Sequence, residues 1–432
     1  LGVDIGSLDL AILNGYPGTV AATWQRLGRA GRRQRSAIGV LVASSLPLDQ
    51  YIIRNPEFFL GAAPEQARID PDQLLILLDH IRCAAFELPF KEGDCFGKQD
   101  LSEMLSYLEE HGILHREGKQ WHWMADSYPA NSVSLRSVAE GNFVVIDTTD
   151  GDKRIIAEVD YSSAPMTIYE GAIYMIQSMP YQVERLDWEG RKAFVTQTKA
   201  DYYTDAIDYT RLKILQNFES QERFRYQVSQ GEVHLVTRVA GYKKIRYYTH
   251  ENVGYGKIDL PDQEMHTTAV WWQINPIALD QAFTSRQASL DGFLGAGYAM
   301  HVIATMRMLS ESRDIGRAIG DGQDRWYASL ENSGRGTLND RSGQNIDPDS
   351  LDQFTPTLFL YDNYPGGIGI TNPLFEIRSR IVADARSLVE SCDCACGCPG
   401  CIGPILAGDE QGGSSAKHSA LTVLSLLSND EP

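Results

Sequence analysis

Five of the seven cysteines of this 432-residue chain fall in one ten-residue run, Cys392-Asp393-Cys394-Ala395-Cys396-Gly397-Cys398-Pro399-Gly400-Cys401. In an intracellular chain such density points to metal binding rather than to disulfides. Thiolates at CxxC spacing can both reach one tetrahedral Zn²⁺, with Zn–S near ~2.3 Å, so the backbone must turn tightly around the ion. Gly397 and Pro399 suit that turn. Zinc takes four ligands and five are on offer. A disulfide-rich or reactive thiol cluster competes with this reading, and so does an iron–sulfur cluster, since soft thiolates also suit iron. The spacing is tighter than in most ferredoxin-type runs, which favours zinc. With four protein ligands no coordination position is left open, so the site is expected to be structural.

The other end of the chain carries Gln25-Arg26-Leu27-Gly28-Arg29-Ala30-Gly31-Arg32, close behind Leu1-Gly2-Val3-Asp4-Ile5-Gly6. Two arginines at i and i+3 on a Gly-rich helix start can both reach one polyphosphate. Their guanidinium groups stay charged at any cellular pH and grip phosphate oxygens bidentately. The competing interpretation is a basic helix on a solvated surface. Leu8 to Leu13 reads as a buried strand, Asn14 to Thr19 as a loop before a helix, and Ile38 to Ala43 as a second buried strand. Strand, crossover helix and strand are what a parallel α/β sheet needs.

The two strings together resemble motifs V and VI of superfamily 2 helicases of the DEAD/DEAH-like kind. The resemblance implies that Arg29 and Arg32 are arginine fingers, reaching ATP and Mg²⁺ held by another RecA-like domain. It implies a nucleotide or water contact for Gln25, and it places Gly2, Asp4 and Gly28 among the nucleotide-site positions. No GxxxxGK[ST] phosphate loop and no DExH-type acidic box occurs in the sequence. The expectation is therefore that about one and a half RecA-like domains lie upstream, and that this chain alone does not hydrolyse ATP.

Between these ends four regions are read. Residues 1–65 form the C-terminal part of a second RecA-like domain. Residues 66–130 suit a winged helix. There Asp70-Pro71 opens a helix with an apolar run Leu74 to Leu78, and Leu101, Met104, Leu105 and Leu108 recur at helical spacing. Ile113 to Trp123 then reads as a hairpin around Glu117-Gly118-Lys119, the wing. Residues 131–275 are β-rich, a small barrel or twisted sheet. Here Phe143 to Ile146, Ala172 to Ile176, Tyr181 to Leu186 and Lys192 to Thr196 alternate between turn signals. Residues 276–432 are mainly helical and hold the cysteine run, and the Gly- and Asp-rich segment Ile319 to Asp349 reads as long loops. The fold class is multidomain α/β plus α+β.

The formal charge of −18 is awkward for a nucleic-acid binder, because attraction to phosphate dominates such affinity. The acid is not evenly spread, however. Residues 1–35 hold five arginines against two aspartates, and Gly241-Tyr242-Lys243-Lys244-Ile245-Arg246-Tyr247-Tyr248 is basic and aromatic. Lys243, Lys244 and Arg246 are the candidate nucleic-acid contacts. The alternative for them is an ordinary solvated strand face. Tyrosines 202, 203, 209, 242, 247 and 248 could stack bases, although cross-strand packing is the commoner role. His301 and His418 read as packing or surface residues. No Ser–His–Asp or Cys–His nucleophile motif appears, nor a carboxylate pair with a His or metal motif that would mark a nuclease. No run of 18 apolar residues and no signal peptide is present, which points to the cytoplasm.

A second resemblance concerns Leu358-Phe-Leu-Tyr-Asp-Asn-Tyr-Pro-Gly-Gly-Ile-Gly-Ile370 and the CxC…GCPxC run that follows it. Together they look like the C-terminal domain of MrfA-like helicases, which carries a four-cysteine zinc site. The family pattern C-x-C-x3-C-x2-C selects Cys392, Cys394, Cys398 and Cys401, leaving Cys396 supernumerary. The resemblance implies an ATP-dependent DNA helicase or translocase of 3′ to 5′ polarity. It would act on single strands or forks, in repair or defence, with partner proteins from those systems. An RNA helicase, or a non-catalytic zinc-containing adaptor with a helicase remnant, are the alternatives.

Overall fold

The computed structural model describes residues 8–31, 36–44, 47–54, 56–61, 73–97, 99–133, 142–249, 251–323, 326–329, 356–403 and 415–428. The chain divides into two compact units. One comprises Leu1–Ile69, Thr210–Leu235 and Met265–Pro432, and the other Asp70–Tyr209 and Val236–Glu264. The division passes through two 21-residue strands, Tyr202–Glu222 and Tyr226–Arg246. The stretch 131–275, read from the sequence as one β-rich region, is thus shared between the units.

In the second unit, helices Leu74–Glu87 and Ser102–Glu110 precede a hairpin, Leu114–Glu117 and Gln120–Trp123. Phe90–Lys91 adds a third strand. Leu77, Ile81, Leu101, Leu105, Leu108, Leu114 and Trp121 close this core. The i, i+3/i+4 spacing of the leucines is what brings them to one face of each helix. Gly118 takes a positive φ at the hairpin tip, a conformation a residue with a Cβ adopts only at a cost. The first helix begins at Leu74, capped by the Gln73 side chain, which accepts from the Ile76 N–H at 2.7 Å. Asp70 to Asp72, expected in its first turn, lie outside the described residues.

The same unit holds a five-stranded sheet in the order Ile173–Ile176, Met179–Asp187, Lys192–Gln197, Asn142–Asp147, Arg154–Asp160. All neighbours are antiparallel except Lys192–Gln197 with Asn142–Asp147. Phe143, Val145, Val183 and Val195 point inward from alternating positions, the period-2 pattern of a half-buried strand. Two strands remain edges in this order, so among the described residues it is a sheet, not a closed barrel.

The first unit is built around helix Arg286–Met308. Ser285 caps it by accepting from the Ala288 N–H at 3.2 Å. Gly292 and Gly295 face the terminal helix Ala416–Leu427. A Cβ on Gly292 would sit 2.7 Å from the Ser419 carbonyl oxygen, and one on Gly295 2.9 Å from the Ala420 Cβ. Only glycine permits that approach. Helix Arg378–Glu390 covers a further side, tied by an Arg307–Asp384 ion pair at 2.6 Å. Antiparallel strands Gln263–Ile274, Pro356–Asp362, Ile315–Gln323 and Trp326–Ser329 form the sheet beneath.

The Gly/Asp-rich segment therefore departs from its expected loop character at its start. Residues 315–321 pair with Pro356–Asp362 and 320–323 with Trp326–Ser329, because alternating Ile315, Arg317 and Ile319 suit a strand better than their glycines oppose it. Residues 330–349 lie outside the described residues. After the last strand, the buried Asp362 carboxylate gathers the Gly-Gly turn by accepting from the Ile368 and Ile370 N–H groups. Burial pushes that carboxyl above the usual range. Tyr364 closes the same turn by donating to Asp314 at 2.8 Å.

At the N-terminus, Leu10–Asn14 and Ile38–Val42 pair in parallel, with helix Val20–Leu27 as the crossover. The two strands were expected to be buried. Only their helix-facing side is covered, and Leu10, Ile12, Ile38, Val40 and Val42 are exposed on the other.

Truncating the winged-helix core should destabilise that unit. Leu105→Ala is expected to cost about 2–5 kcal/mol, read as a lower urea midpoint in tryptophan fluorescence. A midpoint unchanged from that of the unmodified chain would contradict this packing.

Candidate functional site

The cysteine run begins where helix Arg378–Glu390 stops. Gly397, at φ +108°, turns the loop back with its Cα against Ile402. Cys398 then caps the short helix Pro399–Ile402, whose Cys401 and Ile402 N–H groups donate to the Cys398 carbonyl. This turn brings Cys392, Cys394, Cys398 and Cys401 together, with all four Sγ atoms within 4.8 Å of one another. Neighbouring sulfurs lie at 3.5 Å (Cys392–Cys394 and Cys394–Cys401) and 3.7 Å (Cys392–Cys398 and Cys398–Cys401). A tetrahedron with Zn–S near ~2.3 Å has edges of about 3.8 Å, so the donor set fits one zinc ion. Cys396 is exposed and stands outside the group, and all seven cysteines are free thiols.

The thiols do not share one environment. Burial pushes Cys401 and Cys394 above the ordinary thiol value. At Cys392 burial acts in the same direction, but hydrogen bonds from the Cys394 backbone and from the neighbouring thiols bring it below that value. Zinc binds thiolates, so the protons held on Cys394 and Cys401 must leave when the ion enters.

Two cations that the sequence reading passed over hold this loop from outside. Lys417, near the start of the terminal helix, donates its Nζ to the carbonyls of Cys392 at 2.6 Å and Cys394 at 3.0 Å. Its backbone N–H donates to the Cys396 carbonyl at 3.0 Å. Arg54 donates to the Ser391 carbonyl at 2.8 Å and lies 3.7 Å from the Asp393 carboxylate. No local sequence signal marks either residue, because both are distant from the cysteines along the chain.

The nucleotide-site candidates are only partly described. Gly2, Asp4 and Arg32 lie outside the described residues. Gln25 is exposed in the last turn of helix Val20–Leu27, Gly28 is its C-cap, and Arg29 is half-buried just beyond. The arginine string is therefore a helix end, not the helix start expected. The Gly28 and Arg29 N–H groups turn back to the Trp24 and Arg26 carbonyls, as residues beyond a helix terminus do. Helical i, i+3 spacing therefore does not apply from Arg29 onward.

Lys243, Lys244 and Arg246 lie on strand Tyr226–Arg246, paired with Asn252–Lys257. Lys243 is exposed, whereas Lys244 sits 5.3 Å over the Tyr202 ring. Arg246 reaches Asp201 at 3.4 Å and Glu251 at 3.3 Å, so its charge is partly countered. Tyr242 is buried, Tyr203 packs on Tyr247 with ring centroids 5.7 Å apart, and Tyr248 is almost fully exposed. His301 is half-buried, its Nε2 within hydrogen-bond distance of the Ser312 and Ile315 carbonyls, a packing role. No helix among the described residues is long and apolar enough to cross a membrane.

The described residues thus combine a helix-and-hairpin unit, a parallel strand pair crossed by helix Val20–Leu27, and a knuckle of four cysteine thiols. Comparisons with known proteins find relatives for these parts. Residues 296–402 match the MrfA Zn-binding domain, and residues 69–138 match the winged helix domain of ATP-dependent helicase HRQ1. The chain is 38% identical over 429 residues to the uncharacterized ATP-dependent helicase YprA of Bacillus subtilis, covering 99% of this chain and 53% of that protein. It is 29% identical over 416 residues to ATP-dependent helicase HRQ1 of Saccharomyces cerevisiae, covering 93% and 36%. Among solved structures, the DUF1998 helicase MrfA superposes with a TM-score of 0.61 at 32% identity, over 97% of this chain and 54% of that one. MrfA bound to DNA gives 0.55 at 37%, over 99% and 53%. The chain is thus similar over almost its whole length to the helicases YprA and MrfA, and it carries a segment that matches the MrfA Zn-binding domain. It spans about half the length of YprA and of MrfA.

The chain should carry one zinc per molecule by elemental analysis. Cys398→Ser and Cys401→Ser should each lower that content, and Cys396→Ser should leave it unchanged. Iron in place of zinc, or loss of metal in Cys396→Ser, would contradict the assignment. Because protons compete for Cys394 and Cys401, chelator competition should show weaker zinc binding at about pH 6 than at about pH 8. Equal affinity at both would count against thiolate ligation.

Proposed function

We propose that this chain is the C-terminal part of an ATP-dependent DNA helicase or translocase. The observation that carries the reading is the four-thiolate knuckle inside the segment that matches the MrfA Zn-binding domain. Cys392, Cys394, Cys398 and Cys401 are the zinc ligands. Zinc has a structural role here, since four protein ligands leave no position for chemistry.

ATP and Mg²⁺ belong to a cleft shared with another RecA-like domain. Arg29 and Arg32 serve as the arginine fingers and stabilise the charge that spreads over the phosphoryl group during transfer, an effect worth ~10³–10⁵ in rate. Gln25 contacts the nucleotide or a water, Gly28 belongs to the nucleotide site, and Gly2 and Asp4 end the motif that links that site to the DNA groove. The uncovered apolar side of Leu10–Asn14 and Ile38–Val42 supports this reading, because parallel strands need cover on both faces. Closure and opening of the two RecA-like domains step the motor along one strand, 3′ to 5′. The winged helix and zinc domain guide the DNA, with Lys243, Lys244 and Arg246 on phosphates. Repair or defence is the setting, in the cytoplasm, and proteins of those systems are the partners. That MrfA has been captured with DNA and with AMPPNP supports both ligands.

The protein that includes the upstream domain should lose ATP turnover by about 10³-fold or more in Arg29→Ala, with nucleotide binding largely kept. Turnover within a few-fold of the unmodified protein would remove Arg29 from the reaction. Binding of fluorescent single-stranded DNA by the 432-residue chain should weaken steeply between about 50 and 200 mM salt. Absent or salt-independent binding, by this chain and by the longer protein alike, would overturn the helicase reading.

A further inference from the structure

We infer that helix Pro47–Arg54 is a strut that couples the arginine-bearing α/β segment to the zinc knuckle, with Asp49 and Arg54 as its two fastenings. The inference rests on the proposed zinc site, and every contact it uses lies within one compact unit.

The helix has eight residues and is too short to be stable by itself, so its place is set by what its side chains hold. Toward the α/β segment, Asp49 is buried and accepts from the Tyr16 N–H at 3.0 Å and the Ser44 N–H at 2.7 Å. Those two amides follow the two parallel strands, so one carboxylate ties both strand ends to the helix. Gln50 adds a bond to the Ser44 carbonyl at 2.6 Å, and buried Ile52 packs with Val20 of the crossover helix. Toward the zinc domain, Tyr51 packs on the main core and Arg54 holds the Ser391 carbonyl and Asp393. Ser391 and Asp393 flank the first ligand, Cys392.

A ten-residue loop offers Arg54 a fixed target only if the loop itself is fixed. Four thiolates on Zn²⁺ fix it and leave the site with a net charge of −2. Lys417 answers part of that charge and locks the carbonyls of Cys392 and Cys394 in place. Outer partners of this kind tune a metal site without binding the metal. Zinc occupancy thereby sets how firmly the strut end is held, and the strut passes that constraint to the segment ending in Gly28-Arg29. Lys417 and Arg54 are positioning residues.

The test combines zinc transfer to a chromogenic chelator with amide hydrogen exchange on the 432-residue chain. Lys417→Met should speed zinc transfer about tenfold or more, while Lys417→Arg, which keeps the charge, stays near the unmodified chain. Arg54→Ala should keep its zinc but lose about tenfold in exchange protection at residues 49–54, the loss of one charge-assisted hydrogen bond. Removing zinc from the unmodified chain should produce the same loss at 49–54, and in Arg54→Ala it should add nothing there. If zinc removal loosens residues 391–403 but leaves 49–54 protected, the coupling is wrong although the zinc site stands. If the unmodified chain holds no zinc, the zinc reading itself fails and the coupling with it.

Discussion

The close approach of two helices is the contact on which the C-terminal half depends. Gly292 and Gly295 of Arg286–Met308 let the terminal helix Ala416–Leu427 come within backbone distance. That approach buries Ala420, Val423, Leu424 and Leu427, and it sets Lys417 over the cysteine loop. Cys401 and Ile402 belong to the same core, so the knuckle is not an appendage hanging from the helices. Chelation and apolar burial fix one loop from two sides. A larger residue at Gly292 would push on the Ser419 carbonyl and move the terminal helix, and Lys417 would move with it.

Much of this was legible in the sequence wherever local chemistry decides the structure. Leucines at helical spacing between Leu101 and Leu108, followed by Glu117-Gly118-Lys119 between apolar runs, mark helix and wing from a few residues each. The cysteines are legible because thiolates so dense have few other uses, and the family spacing separated Cys396 from the other four. The exposed position of Cys396 agrees with that separation.

Long-range geometry was not legible. Strands Tyr202–Glu222 and Tyr226–Arg246 supply both units, and no composition change marks the point where they cross. Residues 315–321 pair as a strand with Pro356–Asp362, a partner that lies across a long intervening segment and leaves no local trace. Arg54 is 337 residues from Ser391, so its hydrogen bond leaves no local trace. The arginine string misled in a particular way. Glycine suits a helix end as well as a phosphate-facing start, and Gly28 proves to be a C-cap. Lys243, Lys244 and Arg246 form a basic string in sequence, yet the fold sets Asp201 and Glu251 beside Arg246.

These contacts make the zinc knuckle a structural centre that joins three elements: the helix ending at Glu390, the terminal helix through Lys417, and the N-terminal segment through Arg54. The central claim is that Cys392, Cys394, Cys398 and Cys401 together enclose one zinc ion. X-ray absorption at the zinc edge tests it most directly. Four sulfur neighbours at about 2.3 Å, with no nitrogen or oxygen in the inner shell, are the expected result. A mixed shell with a water or imidazole ligand, or fewer than four sulfurs, would contradict it.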